Sequence, residues 1–168
     1  MELDYEIVSL SRVNSVAPYQ VSYLSNKSEV LYFSTSKGLE YAVTFVLDKT
    51  LGFIDMYQLV IEEIHQSRAK YDISVEKTLI AIIEDFLMND SHILAFVCDT
   101  SDSREAARHS LFNRWFLKYN KNSFYHKMDG IINAEGNMYY SSLIFNRNHP
   151  QCETIKSVYI DFIGELQK

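Results

Sequence analysis

The sequence predicts an α+β fold, with a mixed, largely antiparallel sheet and helices on both of its faces. Residues of the first half alternate apolar and polar, which is the period of half-buried strands. From Ser74 onward the apolar residues follow the period of amphipathic helices. Between two such helices, Ile93–Cys98 is apolar throughout, which indicates a central strand covered on both sides.

The strands of the first half are predicted to form a β-meander. They cover residues 3–8, 19–25, 29–35 and 39–47. Ser36-Lys37-Gly38 fits a hairpin turn before the last of these strands, with Gly38 at positive φ. Residues 57–64 fit either a further strand or a short helix, and we favour the strand.

One helix is predicted on each side of the central strand. The first begins at Ser74, with Ser74 or Asp72 as its N-cap, and Glu76 and Asp85 lie off its apolar stripe. That stripe consists of Val75, Leu79, Ile82, Ile83 and Phe86. The second helix covers about residues 103–118. The residues that it is expected to bury are Leu111, Phe112, Trp115, Phe116 and Tyr119.

The sequence pattern of the last part of the chain predicts an antiparallel hairpin followed by a final helix. The hairpin strands cover about residues 124–132 and 137–145, joined by a tight loop with a bulge at residues 133–136. Asp129 followed by Gly130 is interpreted as a bulge or turn element. The helix opens at His149-Pro150. Its apolar face consists of Cys152, Ile155, Tyr159, Phe162, Ile163 and Leu166.

The composition predicts one folded domain over residues 1–168, because 47% of the residues are hydrophobic. Twelve Tyr and ten Phe are more than one small core takes, so some are expected to face a partner or ligand. The net charge is −6 and no run of Lys or Arg is present, which argues against nucleic acid. The absence of a leader at Met1 and of a long apolar run predicts a cytoplasmic protein without membrane contact.

The most informative polar cluster lies where the central strand ends and a helix begins. It consists of Asp99, Ser101, Asp102, Ser103, Arg104 and Arg108. Arg104 and Arg108 share the stripe of Trp115, so both are expected to point inward. Either the neighbouring aspartates pair with them, or they hold a phosphate or carboxylate ligand at the helix N-terminus. The cluster is therefore a candidate ligand-binding site with two open interpretations.

No motif for metal binding or catalysis is found. The five histidines, His65, His92, His109, His126 and His149, lack the spacing of a metal site. His149 and Cys152 are the nearest pair, without further ligands. Cys98 and Cys152 are interpreted as small buried hydrophobes rather than a disulfide. No residue is assigned a catalytic role, and neither a metal nor a cofactor is expected.

From residue 29 onward the predicted order is strand, strand, strand, helix, strand, helix, strand, strand. This order resembles the core of the GNAT acyltransferase superfamily over about two thirds of the chain. In that family a loop of the form Gln/Arg-x-x-Gly-x-Gly/Ala precedes the first of these helices, and its amides hold the pyrophosphate of acyl-CoA. The residues around Arg104 and Trp115 also resemble uncharacterised bacterial hypothetical proteins.

Two features that the GNAT resemblance implies are missing. The stretch matching the loop, Ala69-Lys70-Tyr71-Asp72-Ile73-Ser74, has neither glycine. Asp72 would also place a carboxylate beside the negative ligand. The tyrosine that often protonates the leaving thiolate in that family is matched by Phe112, which has no hydroxyl.

These observations predict a non-catalytic GNAT-like domain that binds a protein partner, as an accessory, regulatory or immunity-type protein. One alternative is an acyltransferase with an atypical loop, which would use acetyl-CoA and a base such as Glu62, Glu63 or His65. A second alternative is a sensor of a small anionic ligand at Arg104 and Arg108.

Overall fold

The computed structural model describes residues 6–52, 54–65, 70–98 and 103–167. Within these ranges the helices are α1 (Leu10–Val16), α2 (Ile73–Leu87), α3 (Glu105–Tyr119) and α4 (Cys152–Leu166). The strands are β1 (Ser22–Leu24), β2 (Lys27–Ser34), β3 (Glu40–Asp48), β4 (Met56–Glu63), β5 (Ile93–Cys98), β6 (Tyr125–Ala134) and β7 (Asn137–Asn146). None of these helices combines the length and apolar composition that a bilayer crossing requires.

The strands form a seven-stranded sheet in the order β1-β2-β3-β4-β5-β7-β6. β4 pairs with β5 in parallel, whereas β1 with β2, β2 with β3, β5 with β7, and β6 with β7 are antiparallel. The predicted α+β class with a mixed, largely antiparallel sheet is therefore confirmed. β5 also holds the predicted central position, and of its residues only Val97 is exposed.

The chain separates into two compact units. The first comprises residues 1–46 and 59–89, and the second comprises residues 47–58 and 90–168. The single domain expected from chain length stays a prediction. In the first unit the rings of Phe45 and Phe86 stack with centroids 4.2 Å apart, and the ring of Phe33 stacks on Tyr41 at 5.2 Å. Aromatic packing therefore joins strands and helix α2 in this unit.

Helix α1 was not predicted, and the strand expected at residues 3–8 is absent from its described part, residues 6–8. Ser9 caps the helix, and its amide donates to Asp85 Oδ2 at 2.7 Å. Arg12 Nε donates to Asp85 Oδ1 at 2.6 Å. The expectation that Glu76 and Asp85 lie off the buried face of α2 is wrong, because both are buried. Asp85 is buried because it anchors α1.

In the second unit, α3 and α4 lie on opposite faces of β5. Ile93 and Ala95 belong to a core cluster with Ile155 and Tyr159 of α4. The ring of Phe96 contacts Phe112 of α3, with centroids 4.7 Å apart. Since successive strand residues point to opposite faces, the two helices cover the two sides. The predicted helices on both faces are found in this unit.

The β6–β7 hairpin is more regular than predicted. Glu135 and Gly136 form its two-residue turn with φ of 53° and 81°, and the register is continuous from Tyr125 to Ala134. The bulges expected in the loop and at Asp129-Gly130 are therefore wrong. A Cβ atom on Gly130 would lie 2.5 Å from Ile163 Cδ1. The absence of a side chain at Gly130 therefore allows α4 to pack closely against the sheet.

Smaller differences concern helix α3 and the cysteines. α3 begins two residues later than predicted, and Trp115 is its only buried residue. The other residues expected to be buried on it are half-buried: Leu111, Phe112, Phe116 and Tyr119. Both cysteines are free thiols; Cys98 is buried as predicted, whereas Cys152 is half-buried.

Candidate functional site

The predicted polar cluster is only partly within the described residues. Three of its members, Asp99, Ser101 and Asp102, lie outside them. Ser103 is exposed with φ of 56°, and Arg104 is exposed because it precedes the first helical residue. Arg104 therefore does not share the inner stripe, and its expected inward orientation is wrong. Arg108 is half-buried. The pairing and anion-binding interpretations both stay predictions.

The start of α2, where the GNAT resemblance would place a pyrophosphate, holds a carboxylate. Asp72 is the N-cap, and its Oδ1 accepts a hydrogen bond from the Ser74 amide at 2.8 Å. Its Oδ2 accepts a hydrogen bond from the Tyr19 hydroxyl at 2.7 Å. The Tyr19 hydrogen bond, followed by that of the Ser74 amide, lowers the pKa of Asp72. A fixed negative charge therefore occupies this helix N-terminus at neutral pH.

The positions matched to GNAT catalytic groups are also occupied by ordinary contacts. Phe112 packs against Phe96 and meets Trp115 edge-on, with centroids 5.5 Å apart. Of the candidate bases after β4, His65 lies 2.8 Å from Glu40, measured from Nε2 to Oε2, and its side chain is 73% exposed. Phe112 has no hydroxyl and therefore offers no proton.

A cavity of about 340 Å³ lies between the end of α3 and the start of β6. We call it the α3–β6 cleft. Its lining residues are Phe116, Leu117, Asn120, Ser123, Tyr125, His126, Lys127 and Arg147. All of them belong to the second unit, so the cleft is contained within one compact part of the chain.

The loop between α3 and β6 is fixed by the Asn120 side chain. Its Oδ1 accepts from the Tyr125 amide at 3.2 Å, and its Nδ2 donates to the Tyr125 carbonyl at 3.1 Å. Ser123 adopts φ of 54°, which closes the turn between them. The Arg147 amide donates to the Phe124 carbonyl at 2.9 Å and ties this loop to the end of β7. The cleft walls are therefore held by hydrogen bonds in the main chain and at Asn120.

The side chains lining the cleft include two cations and no carboxylate. Lys127 is already neutralised, since its Nζ contacts Asp129 and its side chain is only 6% exposed. Arg147 is exposed, and its guanidinium forms no ion pair with the described residues. Burial, with Lys156 and Arg147 nearby, lowers the pKa of His126, while Glu153 opposes the shift. At neutral pH, Arg147 is therefore the lining cation that has no ion pair among the described residues.

Large apolar side chains accompany this charge. Leu117, a lining residue, is 78% exposed, and Phe124, between two lining residues in the chain, is 58% exposed. Few described apolar side chains are as exposed as these two. Exposed aromatic and aliphatic groups beside a cation are typical of protein-binding surfaces.

Next to the cleft, Lys127 joins a polar network beneath α3. The Ser142 hydroxyl donates to Asp129 Oδ1 at 2.5 Å, and Lys127 Nζ lies 3.4 Å from the same hydroxyl. His109 of α3 stacks on Tyr140, with centroids 4.8 Å apart. Burial lowers the pKa of His109, although Asp129 acts in the opposite direction. This network connects the floor of the cleft to the inner face of α3.

Three buried atoms of α3 have no hydrogen-bond partner among the described residues. They are Glu105 Oε2, His109 Nδ1 and Trp115 Nε1. A buried polar atom that has no hydrogen-bond partner costs free energy.

No group of three potential metal ligands is found in the described part of the chain. His149, half of the nearest His–Cys pair, uses both ring nitrogens for structure. Its Nε2 lies 3.2 Å from the Ser91 carbonyl, and its Nδ1 accepts from the Gln151 amide at 3.0 Å. His149 therefore fixes the turn before α4.

Lys127 and Arg147 were not among the predicted site residues. Each is an isolated basic residue at or near a strand end, and no local motif marks it. The one available signal was the strand period, which puts Tyr125, Lys127 and Asp129 on one face of β6. That period cannot show that Arg147 and the end of α3 meet the same face.

Comparison with known protein families matches residues 71–162, more than half of the chain, to a family of unknown function (DUF6169). The matched segment includes every residue that lines the α3–β6 cleft. It does not include Tyr19 or strands β1 to β4. No curated protein matches the sequence.

Proposed function

Because the chain belongs to DUF6169, a family whose function is unknown, we propose a function from its own geometry. The protein is a non-catalytic GNAT-like domain that binds a protein partner, as an accessory, regulatory or immunity-type protein. The observation that carries this proposal is the Asp72 carboxylate at the start of α2. The α3–β6 cleft is the partner-binding surface.

The order of elements supports the GNAT-like part of the proposal. From β2 onward the chain runs β2-β3-β4-α2-β5-α3-β6-β7, and this order resembles the core of the GNAT superfamily. The parallel pairing of β4 with β5 places α2 in the crossover between them. A similar topology supports a similar fold, whereas activity depends on the residues of the site.

The electrostatics of α2 support a non-catalytic domain. A helix N-terminus binds a phosphate through free amides and a favourable dipole. Here the Ser74 amide already donates to Asp72, and the carboxylate neutralises the dipole. A pyrophosphate would face a negative charge that the Tyr19 hydroxyl also holds in place. The acyltransferase alternative would therefore require a different cofactor position.

The chemistry of the cleft suggests the kind of partner. The chain carries a net charge of −6, yet Arg147 stands in a cleft without a carboxylate. Leu117 and Phe124 add exposed apolar surface beside it. A partner segment with a carboxylate next to an aromatic side chain would complement both features. The anion-sensor alternative at Arg104 and Arg108 does not use this surface.

We expect acetyl-CoA at millimolar concentration to leave the melting temperature unchanged, because Asp72 occupies the helix end that would hold the pyrophosphate. A ligand that binds only the folded state must raise that temperature. The measurement is thermal unfolding with and without acetyl-CoA, with sodium sulfate at equal ionic strength as the control. A rise of several degrees with acetyl-CoA alone would contradict the non-catalytic proposal.

We expect the cleft to bind a fluorescein-labelled peptide of alternating Glu and Phe more tightly than the same peptide with Gln in place of Glu. Arg147→Glu should weaken the acidic peptide about tenfold, since it reverses the charge at this position. Fluorescence anisotropy measures both affinities. Arg114→Glu is the matched control, because Arg114 is exposed on α3 and does not line the cleft. Equal loss in both variants, or no preference for Glu, would refute the cleft as the partner site.

A further inference from the structure

Helix α2 covers one side of strands β2 and β3. The ring of Phe45 in β3 stacks on Phe86 of α2, with centroids 4.2 Å apart. Leu31 lies opposite Val43 in the β2–β3 ladder, and both are at most 1% exposed. Because side chains alternate along a strand, the odd-numbered residues of β2 and β3 point toward α2. The even-numbered residues of these strands therefore point to the opposite side of the sheet.

Strand β4 extends this opposite side. The Ile64 amide, just after β4, donates to the Glu40 carbonyl at the start of β3 at 2.9 Å. A bond between the end of β4 and the start of β3 means that the two strands run antiparallel, with Ile64 directly opposite Glu40. Opposite residues share a face, so the even-numbered residues of β4 lie on the same side as Glu40. We call the even-numbered residues 30–34, 40–46 and 60–62 the outer face; all of them belong to the first unit.

The outer face carries exposed apolar side chains. Val46 is 49% exposed and Val60 is 37% exposed. Val30 lies opposite Thr44, and the register of β3 with β4 puts Val60 on the other side of the same threonine. A side of an antiparallel sheet that faces water is ordinarily polar. Val46 and Val60 therefore present apolar surface that the described helices of this unit leave open to solvent.

The charged side chains of the outer face are carboxylates. Glu40 and Glu62 lie on it, and its other positions hold no Lys or Arg. Glu40 accepts a hydrogen bond from the Tyr32 hydroxyl, and its second oxygen lies 2.8 Å from His65 Nε2. Glu62 is exposed and forms no ion pair with the described residues. The two carboxylates are diagonal neighbours on β3 and β4, so negative charge lies beside the valines.

We propose that a basic amphipathic helix of a partner protein packs on the outer face. Neighbouring strands lie about 4.8 Å apart, so three strands span about 10 Å, which is the diameter of a helix with its side chains. The apolar stripe of such a helix covers the valines, as α2 covers the other side of these strands. Its Lys or Arg residues give Glu62 the counter-charge that the described residues do not supply.

Charge also distinguishes a partner protein from a second copy of the chain. Contact between two outer faces would bring carboxylates together without Lys or Arg on either face. The net charge of −6 adds repulsion between copies and attraction toward a cationic partner. The occupant is therefore a chain of opposite charge. The α3–β6 cleft, in contrast, presents the cation Arg147, so the two surfaces select partner segments of opposite charge.

The test uses a fluorescein-labelled peptide of Leu and Lys, about 18 residues long, with Leu at the spacing of one helix face. A peptide of the same composition, in an order that forms no apolar stripe, is the comparison. We expect the amphipathic peptide to bind at least about tenfold more tightly, because only this peptide offers a stripe to the valines. Fluorescence anisotropy at physiological ionic strength measures both affinities.

Glu62→Lys should weaken binding of the amphipathic peptide about tenfold, since it reverses the charge beside the valines. Glu29→Lys is the matched control, because Glu29 is exposed on β2 at an odd-numbered position and lies off the outer face. Val60→Thr keeps a β-branched side chain in the strand and removes apolar surface. It should weaken binding severalfold, with an unchanged circular dichroism spectrum.

Absence of binding, equal affinity for the two peptides, or undiminished binding by Glu62→Lys overturns the inference. So does a wild-type dimer in sedimentation equilibrium that Val60→Thr converts to the monomer, because the occupant is then a second copy. These results do not bear on the α3–β6 cleft, which is tested with an acidic peptide and Arg147→Glu.

Discussion

Trp115→Ala is expected to lower the free energy of unfolding by about 3–5 kcal/mol. Trp115 is 8% exposed and is the only buried residue of α3. Its ring meets Phe112 edge-on, and Phe112 in turn packs on Phe96 of β5. Truncation removes these contacts and leaves a cavity where α3 meets the sheet. Denaturant-induced unfolding, followed by circular dichroism, measures the difference.

The control for this prediction is Leu117→Ala on the same helix. Leu117 is 78% exposed, so its truncation should change the free energy of unfolding by less than about 0.5 kcal/mol. Trp115→Phe distinguishes the contribution of ring packing from the cost of burying the indole N–H. Trp115 Nε1 is buried and has no hydrogen-bond partner among the described residues. Removing that buried N–H should offset part of the lost volume. A cost below roughly 1 kcal/mol for Trp115→Ala would show that α3 does not depend on this anchor.

The strands and the larger helices were predictable because each buries one face and so carries a period in its sequence. β4 begins one residue before the predicted position, and β7 ends one residue after it. The apolar run of β5 correctly indicated a central strand, since side chains on both of its faces are covered. The sequence period was therefore sufficient to predict those elements in which buried residues recur at a regular spacing.

Helix α1 escaped prediction for the opposite reason. It has seven residues and only Val13 is buried, so no apolar period marks it. The helix depends instead on Asp85 of α2, which bonds the Ser9 amide and Arg12. A sequence pattern treats Asp85 as a solvent-facing charge, because charged residues are rarely buried without a partner. The partner comes from a segment 73 residues away.

The candidate site was unpredictable for a related reason. The cleft joins the end of α3, the start of β6 and Arg147 after β7, and no motif spans these segments. The predicted site instead relied on Arg104 lying within the helix, whereas α3 begins one residue later. Helix ends commonly differ by one or two residues from their predicted positions. Because Arg104 lies just outside α3, the helical period does not determine where its side chain points.

Gly130 shows how a single residue can carry information about tertiary packing. A glycine inside a strand indicates either a bulge or the close approach of another element. The register of β6 with β7 has no irregularity at Gly130, which excludes the bulge. Ile163 and Tyr159 of α4 lie against it, and a Cβ atom there would be 3.0 Å from the Tyr159 hydroxyl. The glycine therefore sets the distance between α4 and the sheet.

Gly130→Val is accordingly expected to destabilise the fold by about 2–3 kcal/mol, despite the high β-propensity of valine. The added methyl groups would enter the space held by Ile163 and push against Tyr159, which donates to the Ser141 hydroxyl at 3.2 Å. Equilibrium unfolding in urea measures the cost. Gly164→Val is the matched control, because Gly164 lies in α4 with nothing within 4 Å of its Cβ position. That variant should stay within about 0.5 kcal/mol of the wild type.

A double-mutant cycle with Ile163→Ala decides whether the clash is the cause. If Ile163 is the obstacle, removing its side chain makes room for the valine, and Gly130→Val should cost at least about 1 kcal/mol less in that background. Strictly additive effects would instead place the cost outside the contact with Ile163, as in the contact with the Tyr159 hydroxyl. Ile163 of α4 lies against Gly130 of β6. If Ile163→Ala lowers the cost of Gly130→Val, the close approach of α4 to the sheet requires the absence of a side chain at Gly130.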